Sequence, residues 1–161
     1  MPSFDIESSY NQQEVINAVS QAEKEITTRY DFKSTQTSLA ISEDKIYMIS
    51  STEERLKAAN QVLVEKLVKR KVSPKILSNH IDSKESKNQI KRTYTLVSGI
   101  SQDNAKNLVK EVKKYNKKVQ AAIQGPTVRI TGKKRDELQD IISLIKNMKL
   151  DYPVNFTNFK D

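Results

Sequence analysis

The stretch VQAAIQGPTVRITG, residues 119–132, decides the fold of this sequence. Its first half alternates apolar residues with polar or small ones, which is the pattern of a strand with one buried face. Gly125 and the proline after it signal a turn, and residues 127–131 alternate again, so the stretch predicts a two-stranded hairpin. Gly132 then leads into residues 134–147, whose apolar side chains share one helical stripe.

The segments on either side of this hairpin complete a larger pattern. Ser101 is placed to cap a helix over residues 101–117, and residues 90–97 before it have the composition of a strand. Residues 154–159 predict a closing strand. The resulting order, βαββαβ, is that of a ferredoxin-like unit.

The first half of the chain repeats the order helix, strand, strand, helix. The predicted elements are a strand at 3–6, a helix at 11–28, strands at 37–42 and 45–49, and a helix that begins after Thr52. This half has no obvious closing strand, because residues 72–87 are polar and look like a connector. We therefore predict an α+β protein of two tandem ferredoxin-like units, residues 1–88 and 89–161, in which antiparallel sheets are each flanked by two helices. A strand lent between the halves would supply the missing one and lock the two units together.

Charge is distributed unevenly along the 161 residues, although the total is +8. Residues 1–50 carry 8 acidic against 4 basic side chains, whereas residues 85–161 carry 16 basic against 8 acidic ones. A basic excess in one part of a chain favours a polyanionic partner such as nucleic acid. The alternative is a solvated basic surface that binds nothing.

Composition excludes several classes of function. The chain has no cysteine and one histidine, His80, so thiol chemistry and sites with two histidines are excluded. No apolar run is long enough for a membrane span and the N-terminus has no signal-peptide pattern, so we expect a cytoplasmic protein without a membrane partner. We find no nucleophile–base pair, metal cluster or phosphate-binding loop motif. The sequence predicts a non-enzymatic protein without a cofactor.

Strand alternation places Arg129 and its polar neighbours on the open face of the second sheet, where they could bind phosphates and base edges. This face has no aromatic residue, unlike the platform on which RNA-recognition motifs stack bases. In the first half only Tyr47 could stand out from the sheet. Lys91 and Arg92 are expected to extend the basic surface.

Two further basic groups lie in the second half. On the helix at 101–117, a lysine every three or four residues forms a ridge opposite the apolar face; the alternative is a solvated helix face. After Gly132, basic residues at a helix N-terminus form a candidate anion site, for which a plain loop is the alternative. The residues are Lys106, Lys110, Lys113 and Lys117 in the ridge, and Lys133, Lys134 and Arg135 in the anion site.

The segment RYDFK, residues 29–33, is open to two interpretations. It is either a basic-aromatic binding segment or a short strand that packs Tyr30 and Phe32 while Arg29 pairs with Asp31. We favour packing for the aromatic residues and keep Arg29 and Lys33 as candidate binding residues.

Several blocks of this sequence, in order along almost the whole chain, resemble the bacterial YajQ family. They are PSFDI (2–6), TRYDFK (28–33), KLVKR (66–70), VQAAIQG (119–125), VRITGKKRDELQ (128–139) and NFTNFKD (155–161). The sequence departs from the family pattern at Lys71, where a glycine is common, and in the polar connector at 72–89.

The resemblance implies a cytoplasmic nucleotide-binding protein of two ferredoxin-like domains with exchanged N-terminal strands, linked to RNA and in some members to cyclic di-GMP. We therefore expect a protein that binds RNA or a guanine nucleotide such as GTP through the basic second half. Two alternatives remain: a cyclic di-GMP-type sensor that acts through a protein or DNA partner, and a protein-interaction adaptor.

Overall fold

A computed structural model describes all residues, 1–161, and separates the chain into two units. Residues 10–97 form what we call the continuous unit, and residues 1–9 with 98–161 form the split unit. The elements in chain order are β1 (Ser3–Glu7), α1 (Gln12–Thr28), β2 (Ser38–Ser42), β3 (Lys45–Ser50), α2 (Glu53–Lys69), β4 (His80–Ser86), β5 (Gln89–Thr95), α3 (Gln102–Tyr115), β6 (Gln120–Gln124), β7 (Thr127–Thr131), α4 (Arg135–Lys146) and β8 (Asn155–Lys160). Short 3-10 helices lie at Tyr30–Phe32 and Pro74–Leu77.

The continuous unit has an antiparallel sheet in the order β2-β3-β5-β4. One face of this sheet packs on α1 and α2, and Leu39, Met48 and Tyr94 from the sheet belong to the shared core. The predicted cap at Thr52 is present, since its side chain accepts a hydrogen bond from the backbone N–H of Arg55.

The split unit has an antiparallel sheet in the order β6-β7-β1-β8, with a core shared with α3 and α4. The N-terminal strand β1 lies between β7 and β8, and its Phe4 and Ile6 are fully buried. Four helices and two four-stranded antiparallel sheets confirm the predicted α+β class with two ferredoxin-like units.

The structure groups residues 72–97 differently from our sequence-based division at 88/89. Part of the expected connector is strand β4, which is exposed at all seven positions and so lacks the alternation that marks a half-buried strand. It forms a hairpin with β5, and β5 also pairs with β3. Strand β5 therefore belongs to the continuous unit, because Tyr94 is buried in the core of that unit.

Lys71 adopts a left-handed backbone conformation, with φ of 62°. Helix α2 ends in a Schellman arrangement: the N–H of Val72 donates to the carbonyl of Leu67, and the N–H of Lys71 donates to that of Val68. Glycine occupies this position at low steric cost, whereas a residue with a Cβ is strained there.

We expect Lys71→Gly to raise the free energy of unfolding by about 0.5–1 kcal/mol, because relief of backbone strain outweighs the greater freedom of glycine in the unfolded chain. Lys69→Gly, inside the last turn of α2, is the matched control and should lower it by about 1 kcal/mol. Urea titration of both variants measures the difference. Equal destabilisation by the two substitutions would contradict this explanation.

Candidate functional site

Five lysines of the split unit line two clefts on either side of the turn that joins α3 to β6. Lys113 and Lys117 line a cleft of about 420 Å³ along β6. Lys118, Lys133 and Lys134 line a second cleft of about 670 Å³. We call these five residues the lysine clefts.

Asn116 fixes the turn between the two clefts. Its side-chain oxygen accepts a hydrogen bond from the backbone N–H of Lys118 at 2.9 Å. Its side-chain amide donates to Glu137 Oε2 at 3.2 Å, which ties the turn to the first turn of α4. Glu137 is the carboxylate that lines the larger cleft. These two hydrogen bonds fix the backbone at Lys118 and link the turn to the start of α4.

The start of α4 is suited to an anion. Gly132 packs tightly against α4. A Cβ on this residue would lie 3.2 Å from Leu138 Cδ2 of that helix, which is tight for a larger residue. Lys134 is the N-cap residue and makes no side-chain capping hydrogen bond, so no side chain of the cap occupies the first backbone amides of α4. The N-terminus of a helix favours negative charge, and Lys133 and Lys134 add to that field.

The environment of Arg129 differs from our expectation of a free cation. It lies on the sheet face opposite the helices, where its Nε donates to Asp5 Oδ1 at 2.9 Å across the β1–β7 pairing. Asn158 also donates to Asp5, at 2.8 Å. The guanidinium of Arg129 is therefore paired with a carboxylate of its own sheet.

The hydrogen bond from Arg129 is the main cause that lowers the pKa of Asp5, against the opposing effect of burial. A carboxyl group with a lowered folded-state pKa stabilises the fold above its unfolded pKa, and this contribution is lost as the pH falls through the folded value. We expect the split unit to lose stability below about pH 4, and Asp5→Asn to lose less over the same range. Thermal unfolding between pH 2 and 6 measures both, and equal acid sensitivity of the two proteins would contradict the assignment.

The other candidates of the split unit lie outside the lysine clefts. Lys106 and Lys110 are exposed on earlier turns of α3 and line neither cleft. Arg135 forms an ion pair with Asp161 and lines a separate cleft of about 260 Å³ with Phe159.

The candidates at 29–33 belong to the continuous unit. Arg29 pairs with Glu25 at 3.2 Å and with Asp31 at 2.7 Å, so the expected pairing with Asp31 is confirmed. The expected strand is wrong, because residues 30–32 form a 3-10 helix that buries Phe32 and leaves Tyr30 86% exposed. Lys33 Nζ lies 5.8 Å from the centroid of the Tyr30 ring.

Lys91 and Arg92 also belong to the continuous unit and face opposite sides of β5. Arg92 lies on the helix side, where its Nε donates to Asp82 at 2.7 Å and its side chain is only 12% exposed. Lys91 lies on the open side, with Nζ 4.8 Å from the centroid of the Tyr47 ring. The two do not form one surface.

The sequence analysis missed Lys118 as a site residue. It lies two residues before β6 and beside Lys117, so the lysine doublet that follows the predicted basic face was the available signal. No group of three or more histidine, cysteine, aspartate or glutamate side chains is arranged to hold a metal ion. None of the helices has the length and apolar character that crossing a membrane requires.

Comparison with known proteins covers nearly the whole chain. A family model described as nucleotide-binding protein YajQ-like matches residues 2–160. Proteins named nucleotide-binding protein from Hahella chejuensis and Magnetococcus marinus are each 44% identical to this chain, over 162 and 161 residues, and each alignment covers 100% of both sequences. A relative from Koribacter versatilis with the same description is 44% identical over 98% of this chain and 96% of its own length. The chain therefore belongs to the YajQ-like family of nucleotide-binding proteins.

Proposed function

We propose that this chain is a non-enzymatic, cytoplasmic nucleotide-binding protein that holds the phosphates of single-stranded RNA in its lysine clefts. The observation that carries the proposal is the convergence of five lysines around two clefts with one lining carboxylate, Glu137. The names of the full-length relatives support the nucleotide as ligand class.

The arrangement of the clefts favours a polymer. Lys117 and Lys118 are consecutive but line different clefts, so a ligand that uses both must pass the turn between them. A nucleic-acid backbone, with a phosphate on every nucleotide, can do this. Lysine ammonium groups can bind such a backbone because a phosphate contact requires positive charge but no fixed hydrogen-bonding geometry.

A second candidate is a small guanine nucleotide, GTP or cyclic di-GMP, bound by a sensor that acts through a protein or DNA partner. The larger cleft, at about 670 Å³, lies within the range of roughly 300–1,000 Å³ typical of small-molecule sites. Such a ligand would use Lys118, Lys133 and Lys134 and leave Lys113 and Lys117 free.

Salt dependence separates the two candidates. Single-stranded RNA that contacts five lysines should give a slope of log K against log salt of about −3.5, because each contact releases about 0.7 counterion. Fluorescence anisotropy with a labelled U-rich RNA and with a labelled guanine nucleotide, from 50 to 400 mM salt, measures both affinities. Binding of the guanine nucleotide but not of RNA would support the sensor. If neither probe binds, the protein-interaction adaptor is the hypothesis that remains.

A further inference from the structure

The sheet of the continuous unit has one face that packs on no helix. In each antiparallel pair the directly opposed residues share a face, so the register places these side chains together. They are Ser38, Ala40 and Ser42 of β2, Lys45, Tyr47 and Ile49 of β3, Lys91, Thr93 and Thr95 of β5, and Ile81 and Ser83 of β4. We call this set the open face.

Tyr47 is the aromatic residue at the centre of the open face. Its strand, β3, is one of the two central strands, and its directly opposed neighbours are Ala40 and Thr93. Both neighbours are small, and the ring is half-buried with part of its surface accessible on this face. It takes no part in the hydrophobic core on the other side of the sheet.

The charge of the open face is positive. Lys91 Nζ lies 4.8 Å from the centroid of the Tyr47 ring, and Lys45 Nζ donates to Thr95 Oγ1 at 3.3 Å. At the β4 edge of the face, Ser83 Oγ donates a hydrogen bond to the carboxylate of Glu85 at 3.2 Å, so the two lysines outnumber this carboxylate by one. Ile81, which is 73% exposed, adds apolar surface beside Thr93. An aromatic ring flanked by lysines and hydroxyl groups matches a base next to a phosphate.

We propose that the open face is a second nucleic-acid contact, on which one base of a single strand stacks on Tyr47 while Lys91 binds the adjacent phosphate. This inference rests on the proposed function, because it adds a base contact to the phosphate contacts of the lysine clefts. Stacking on Tyr47 would add a contribution to the binding free energy that salt does not screen, unlike the phosphate contacts of the lysine clefts.

Magnitudes favour displacement of the lysine from the ring by a base. An exposed cation–π contact contributes about 0.5–1 kcal/mol, whereas a base stacked on an aromatic side chain contributes about 1–3 kcal/mol. The freed ammonium of Lys91 gains a phosphate in exchange for the ring. Stacking tolerates any base, so the open face should bind single strands with little sequence preference.

Tyr47→Trp provides a direct probe, because the chain contains no tryptophan. We expect U-rich single-stranded RNA to quench the fluorescence of this variant, since the base contacts the indole. Tyr47→Ala should weaken RNA binding about 5- to 100-fold, and Tyr47→Phe should bind like the wild type. Tyr30→Ala is the matched control, because Tyr30 is highly exposed in the same unit but lies outside the sheet.

Lys91→Ala tests the phosphate contact. Its expected effect is a salt slope shallower by about 0.7, whereas Lys84→Ala, at a position opposite Ile90 and outside the open face, should leave the slope unchanged. Circular dichroism verifies that each variant is folded.

The outcomes separate this inference from the proposed function. RNA binding that keeps its steep salt slope, with neither quenching of Tyr47→Trp nor weakening by Tyr47→Ala, would overturn the open-face contact and leave the lysine clefts in place. Quenching by a free guanine nucleotide but not by RNA would replace the polymer contact by a mononucleotide site. Absence of RNA binding by the wild type would overturn both.

Discussion

Deletion of residues 1–9 is expected to unfold residues 98–161 and to leave residues 10–97 folded. Strand β1 lies between β7 and β8, so its loss removes both pairings and leaves β8 without a partner strand. It also removes Phe4 and Ile6, which are fully buried in the core of the split unit. The core of the continuous unit contains no residue from 1–9.

Hydrogen exchange followed by mass spectrometry measures this result, because peptides from 98–161 should lose protection while those from 10–97 keep it. Phe4→Ala is the milder counterpart and should cost about 3–5 kcal/mol, because it leaves a cavity against Phe156 and Phe159. Glu7→Ala, on the same strand but outside the core, should change stability by less than about 0.5 kcal/mol. Protection of 98–161 that survives the deletion would refute the role given to β1.

The largest functional effect is expected from replacing four residues of the lysine clefts, in the variant Lys113→Ala/Lys117→Ala/Lys133→Ala/Lys134→Ala. At about 0.1 M salt each phosphate contact contributes roughly fivefold to affinity through counterion release, so four contacts correspond to a loss of several hundredfold. The salt slope should fall by about 2.8 at the same time. Anisotropy with the U-rich RNA measures both quantities.

The matched comparison uses two pairs of lysines from the predicted ridge, whose last member, Lys117, lies beyond the end of α3 at Tyr115. Lys113→Ala/Lys117→Ala should weaken binding about 25-fold. Lys106→Ala/Lys110→Ala removes the same charge from positions that line neither cleft, and it should change affinity less than about twofold. Equal losses from the two pairs would show that net charge, and not the clefts, governs binding.

Arg129 illustrates how far a site can be predicted from local pattern. Alternation along residues 127–131 placed its side chain away from the helices, and the burial of Val128 and Ile130 agrees with that. The partner of Arg129 is Asp5, 124 residues away, and no periodicity within either segment indicates this pair. Whether a basic side chain on a sheet is free for a ligand depends on which strand is paired beside it.

The sequence by itself determined the helices, the strands with alternating burial and the βαββαβ order, because these follow from periodicities over a few neighbouring residues. It also determined that positive charge concentrates in the second half. Only the tertiary structure decided that the exposed residues of β4 form a strand, that β1 pairs with β7 and β8, and that Lys113, Lys117, Lys118, Lys133 and Lys134 share one region. The physical reason is that strand pairing and the grouping of side chains are set by contacts between distant segments, whose register no local pattern records.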